Sequence, residues 1–142
     1  MTRKSPLLAV DIIAIKDDSV ILVKRANPPF QGFYALPGGF VEYGERVEDA
    51  AIKEMREETG LEVKLKALVG VYSDPNRDPR GHVVSIAYLA EVTGGILKPA
   101  TDAKEAKLFP LKALPENLAF DHRQILEDAL KILKKHKASL YR

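Results

Sequence analysis

Residues 39–61 read Gly39-Phe40-Val41-Glu42-Tyr43-Gly44-Glu45-Arg46-Val47-Glu48-Asp49-Ala50-Ala51-Ile52-Lys53-Glu54-Met55-Arg56-Glu57-Glu58-Thr59-Gly60-Leu61. Val47, Ala50, Ala51 and Met55 recur at intervals of three and four, which places them on one face of a helix. The spacing predicts a helix over 47–59 that stops at Gly60, because glycine takes the left-handed backbone that closes a helix. Glu54, Glu57 and Glu58 stand at i, i+3 and i+4 and share another face. Like charges so spaced cost about 0.2–0.5 kcal/mol per pair. Glu57 and Glu58 also lie in the last turn, where the negative end of the helix dipole disfavours acids. The helix itself gains nothing from this arrangement, whereas a divalent cation with a preference for hard oxygen ligands would. Taken alone, the triplet also fits a solvated acidic face.

The charge of the whole chain shows how unusual this stretch is. The 142 residues carry 22 Lys+Arg and 20 Asp+Glu, a formal net charge of +2. From Glu42 to Glu62 there are eight acids and three bases, so this window is net −5 and the remainder is +7. The small total argues against a strongly cationic nucleic-acid binder. The absence of Cys excludes a disulfide scaffold, a Cys-ligated metal centre and a thiol nucleophile. A hydrophobic fraction of 46% excludes disorder. No apolar run approaches the roughly 20 residues of a membrane span, and Met1–Pro6 is polar, unlike a signal peptide. The expectation is a single domain over 1–142, soluble and cytoplasmic, with no membrane and no nucleic-acid partner.

Outward from the helix, Leu7–Ile15 is apolar and β-branched, Lys16–Ser19 is turn-like, and Val20–Val23 resumes the strand pattern, so a hairpin is expected. Asn27–Gly32 holds two consecutive prolines and reads as a loop. Tyr34–Leu36 is a short strand and Pro37-Gly38-Gly39 a turn. Glu62–Tyr72 and Val83–Val92 read as strands around the polar loop Asp74–Gly81. Thr93-Gly94-Gly95 reads as a tight turn and 98–106 as irregular. Lys107–Leu111 is strand-like, and 113–117 forms a short turn. A final amphipathic helix over 121–136 places Ile125, Leu126, Ala129, Leu130 and Leu133 on one face. The pattern is that of an α+β domain with helices packed on a sheet.

Gly39, five residues, Glu45, seven residues, then Lys53-Glu54-Met55-Arg56-Glu57-Glu58-Thr59-Gly60-Leu61 closely resembles the Nudix box, G-x5-E-x7-R-E-U-x-E-E-x-G-U with U a bulky aliphatic. The box spans 23 residues with nine specified positions, of which eight are satisfied. Lys53 stands where the family has Arg; it keeps the charge and loses the planar fork. The lead-in Tyr34–Glu42 and the order of elements over about residues 6–137 are also similar to the family.

The resemblance implies the Nudix fold, an α/β/α sandwich with a mixed β-sheet. It implies an enzyme that hydrolyses a nucleoside diphosphate linked to another group, with Mg²⁺ as cofactor and Mn²⁺ as a substitute. Glu54, Glu57 and Glu58 become the expected metal ligands, and the Gly38 or Gly39 carbonyl a further one. Glu45 is expected to brace the loop–helix motif or assist at the metal. A general base is expected from a loop after the box, where Glu105 and Asp102 lie.

Pro75, fifteen residues after Gly60, and Leu118-Ala119-Phe120-Asp121-His122 resemble the ADP-ribose pyrophosphatase branch. That branch implies ADP-ribose as substrate, AMP and ribose 5-phosphate as products, and a possible homodimer. Oxidised nucleoside triphosphates, dinucleotides and nucleotide sugars are alternative substrates, and a sensor that binds ADP-ribose without cleaving it is a third reading. Arg25, Arg77 and Arg80 are candidates for diphosphate and ribose, and Phe30, Phe33 and Tyr34 for the face of the base. His82 and His122 could serve as ligands or acids, but a lone His without a neighbouring His or Asp pattern is more often structural. Lys134-Lys135-His136-Lys137 suits the negative end of a helix.

Overall fold

The computed structural model describes residues 4–98 and 105–140, with side chains described as far as Lys135. Its strands are β1 (Leu7–Lys16), β2 (Ser19–Lys24), β3 (Tyr34–Ala35), β4 (Gly38–Phe40), β5 (Leu61–Tyr72), β6 (Val83–Gly95) and β7 (Glu105–Pro110). Its helices are α1 (Val47–Thr59) and α2 (His122–Leu140). Among the described residues the strands form one mixed sheet in the order β3-β2-β1-β6-β5, with β4 on β1 and β7 on β2.

β1 runs parallel to β6 from Leu7↔Val83 to Ile15↔Glu91. On its other edge the C-terminal end pairs with β2, and Ala9, Val10 and Asp11 pair with β4. A strand covered on both faces reads as a nearly unbroken apolar run, which is the character of Leu7–Ile15. Period-two alternation divides its side chains. Val10, Ile12 and Ala14 pack with Ala50, Ala51 and Met55 of α1. Ile13 packs with Leu89 of β6 and with Ile125, Leu126 and Ala129 of α2. A helix on each face makes the α/β/α sandwich. Asp11 falls on the α2 side by the same alternation and is buried there.

α1 has the predicted bounds. Glu48 and Asp49 in its first turn suit the dipole, and Gly60 closes it at φ 79° with its N–H donating to Arg56 O at 2.9 Å. Two expected turns are strands instead. Gly94 and Gly95 continue β6 and pair with Glu62 and Leu61. The chain crosses so tightly there that a Cβ on Gly95 would lie 2.3 Å from Gly60 O. Gly38 and Gly39 lie flat on β1 as β4, and Ile12 N–H donates to Pro37 O while Val41 N–H donates to Leu8 O, both at 2.9 Å. Glu105 opens β7 opposite Lys24 rather than lying in a loop. Asp102 lies outside the described residues, as do the side chains of His136 and Lys137. No described helix is long and apolar enough to cross a membrane.

Candidate active site

β4 and α1 meet where Gly39 lies against the side chain of Glu54. A Cβ on Gly39 would lie 2.6–2.8 Å from the Glu54 carboxyl atoms, so this carboxylate rests against the bare backbone. One turn further along α1, Glu58 faces a cleft of about 210 Å³ whose wall includes Gly38 and Gly39. Glu57 is exposed, and its backbone carbonyl accepts a hydrogen bond from Lys98 Nζ. The donors offered here are all oxygens: three carboxylates on one helix face and the adjoining Gly38-Gly39 backbone. That chemistry suits a hard divalent cation. Among the described residues no three acidic or His side chains already converge on one point, so the fit rests on donor type and on the packing of Glu54 against Gly39.

The loop before α1 is pinned by Glu45. Its Oε1 accepts the Glu42 N–H at 3.1 Å, and its Oε2 lies 2.6 Å from Lys53 Nζ. The hydrogen bond from Lys53, followed by that from Glu42, holds the Glu45 carboxyl below its ordinary pKa, and Glu45 in turn raises that of Lys53. An ammonium makes this link through a single charge, where a guanidinium could make two parallel bonds.

Two guanidiniums line the same cleft. Arg25 donates through Nε to Pro29 O at 2.6 Å, and its Cζ lies 4.9 Å from the centroid of the Phe120 ring. Arg80 Cζ lies 5.5 Å from the same centroid. Burial, then repulsion from Arg80, lowers the pKa of Arg25, while Asp78 and Glu58 act the other way. Arg80 is held by buried Asp78 through Nε–Oδ1 at 3.1 Å and Nη2–Oδ2 at 2.7 Å. Two like charges gathered over one ring, in a cleft that Glu58 also lines, suit an anionic group.

Arg77 lines the cleft but is already engaged. Its Nε and Nη2 grip Asp121 at 2.8 and 2.6 Å, and its side chain is 6% exposed. It therefore ties the β5–β6 loop to the start of α2. Phe33 packs against Phe30, and Tyr34 packs edge-on against Phe109. Phe33, Tyr34, Pro75 and Glu105 are not among the residues lining the cleft. His82 Nε2 bonds Ser73 O at 2.9 Å. Sequence reasoning missed Phe40, Asp78 and Asp11, which line the cleft; Phe120 and His122 line it too, in the stretch that resembles the ADP-ribose pyrophosphatase branch. Asp11 did leave a signal, as the one charge inside an otherwise apolar run.

Burial lowers the His122 pKa against the opposing pull of Asp11 and Asp121, with Arg77 and Arg25 adding to the fall. The unfolded chain accepts a proton at this imidazole below pH ~6.5, whereas the folded chain resists it. The stability contributed is thus fully present above that pH and is lost as pH falls toward the folded-state value. The melting temperature should decline between about pH 7 and pH 5, and His122→Asn should flatten that slope. Parallel slopes would remove His122 as the cause.

Comparison with known proteins agrees with this geometry. The family model described as NUDIX domain matches residues 5–129. The chain is 56% identical over 126 residues to an ADP-ribose pyrophosphatase of Methanocaldococcus jannaschii, covering 89% of this chain and 74% of that protein. It is 31% identical over 133 residues to an ADPR responsive transcriptional repressor of Acinetobacter baylyi, covering 88% of this chain and 53% of the repressor. Its fold is similar to the NUDIX domain of Shewanella oneidensis NrtR complexed with ADP ribose, with a TM-score of 0.74, 29% identity, and coverage of 92% and 90% of the two chains. The acidic helix, the glycines it packs against and the matched length of chain together establish that this protein belongs to the Nudix family.

Proposed function

We propose that the protein is a Mg²⁺-dependent pyrophosphatase that cleaves ADP-ribose to AMP and ribose 5-phosphate. The observation that carries this reading is that Glu58, Gly38 and Gly39 line one cleft together with Arg25 and Arg80. The similarity to the Methanocaldococcus jannaschii ADP-ribose pyrophosphatase supports the choice of substrate. Glu54, Glu57 and Glu58 would hold the cation together with a carbonyl of Gly38 or Gly39. When bound, such a cation supplies Lewis acidity toward a phosphoryl oxygen and acidifies a water. Arg25 and Arg80 bind the diphosphate oxygens and balance the charge that spreads over them as the phosphorus–oxygen bond breaks. Glu45, held by Lys53, fixes the turn into α1 so that the carboxylates keep their aim.

The repressor relative favours a second reading, in which ADP-ribose is bound but not cleaved. One experiment separates the two: a hydrolysis screen in Mg²⁺ and in Mn²⁺ over ADP-ribose, NADH, diadenosine polyphosphates, 8-oxo-dGTP and nucleotide sugars, with products identified. AMP and ribose 5-phosphate from ADP-ribose are expected. Binding of ADP-ribose without products would establish the sensor. In parallel, either ion at about 100 times its dissociation constant should stabilise the fold by about 2.7 kcal/mol. An unchanged melting temperature in both ions would count against the carboxylate site.

A further inference from the structure

The floor of the cleft holds a donor and an acceptor that face each other without bonding. His122 Nδ1 accepts the Leu36 N–H at 3.0 Å. That bond fixes the neutral tautomer and leaves the ring proton on Nε2. Nε2 stands 3.6 Å from Asp11 Oδ1, beyond hydrogen-bond distance. Asp11 Oδ2 already accepts from Ser85 Oγ. Arg77, 3.9 Å from Oδ2, is occupied by Asp121 and Val83 O. Nε2 and Oδ1 form no hydrogen bond, and both residues line the cleft.

We infer that His122 Nε2 and Asp11 Oδ1 together read one ribose hydroxyl of the substrate. The hydroxyl oxygen accepts from Nε2–H and its own proton is donated to Oδ1. A hydroxyl is the group that accepts and donates at a single atom, and an oxygen set to one side of the Nε2–Oδ1 line can lie about 2.8 Å from each partner. A phosphate oxygen has no proton to offer the carboxylate and is repelled by it. The position favours a sugar over a base. A Cβ on Gly38 would lie 2.8 Å from Oδ1, so the pair adjoins the wall that carries Gly39 and Glu54. A group reaching it must be attached directly to the diphosphate, as both riboses are and the base is not.

This inference rests on the proposed substrate, and the test separates the two. It compares kcat/KM for ADP-ribose with that for its singly deoxygenated analogues, on the adenosine ribose and on the terminal ribose, and with the inosine analogue. Wild type and Asp11→Asn are measured side by side. In wild type one deoxy analogue should lose roughly 10- to 100-fold, the worth of a hydrogen bond to a charged group. In Asp11→Asn that ratio should collapse to about threefold or less, while the other ratios stay fixed. The analogue affected identifies which ribose is read. A merely structural Asp11 would lower all substrates together and leave every ratio intact, which overturns the inference. A change in base discrimination instead would show that the pair reads a base edge, which also overturns it. If Asp11→Asn does not fold, the wild-type series decides, since no deoxy analogue losing more than about threefold means that no hydroxyl is read. Failure of wild type to cleave ADP-ribose sinks the substrate alone; the same deoxy series on the diphosphate it does cleave then decides the pair.

Discussion

Glu57→Gln is expected to lower kcat by about 1,000-fold with the fold intact. Metal assistance to a developing phosphoryl charge is worth several kcal/mol, and each 1.36 kcal/mol is about tenfold in rate. Gln keeps the shape of the side chain and loses the anionic oxygen. Stability should hold or rise by about 0.3–0.5 kcal/mol, since Glu57 is exposed in the last turn of α1, repelled by Glu54 and by the helix dipole. The contact from Lys98 goes to the backbone carbonyl and survives the substitution. Steady-state kinetics in Mg²⁺ with a thermal melt check both halves. Wild-type kcat in this variant would take Glu57 out of the metal site.

Gly38→Ala and Gly39→Ala should fail in opposite ways although the residues are adjacent. A Cβ on Gly38 would lie 2.1 Å from Val10 O and 3.1 Å from Asp11 Cα, both backbone atoms of the central strand. Neither can give way unless β4 lifts from β1, so a loss of about 3 kcal/mol or more is expected, a fall of roughly 10 °C in the melting temperature. A Cβ on Gly39 meets only the carboxyl end of Glu54, which can swing aside. That variant should melt within a few degrees of wild type, about 1 kcal/mol or less, while turnover falls with the displaced carboxylate. Paired melting and kinetic measurements decide. Equal loss of stability in both variants, or full activity in Gly39→Ala, would refute the division.

The acidic helix was legible because its information is local. Spacing at three and four, an αL stop at Gly60 and three like charges on one face all lie in α1 and the residue that follows it, and helix geometry converts sequence offset into position. Helices packed on a sheet followed from the order of strands and helices, and the α/β/α sandwich from the resemblance to the Nudix family. Partner choice across the chain was less legible. Nothing local in Asp74–Gly81 distinguishes Arg77, clamped by Asp121, from Arg80, which leans over Phe120. Phe120 reads as one more apolar residue before a helix, yet its φ of 53° and its contact with Phe30, itself at φ 60°, set it at the rim. Gly94-Gly95 and Gly38-Gly39 read as turns because the composition cue for a turn is also that for close backbone approach. Asp11 broke the apolar pattern of its strand, and such local inconsistencies tend to mark functional positions.

β1 shares one edge between β2 and β4, so the glycine wall of the cleft is itself a rung of the central sheet. Many sites are carried on loops that can fray while the rest of a domain stays folded. Here the wall has no hinge of its own. Peeling β4 away breaks the Ile12–Pro37 and Val41–Leu8 bonds and bares the middle of the core strand. The arginine side hangs from loops on either side of Phe120, tethered by Asp78, Asp121 and Pro29. The cleft thus sets an anvil against a suspended jaw. Substitutions in the loops can change what the jaw grips, whereas the anvil cannot move without unpairing β4 from β1.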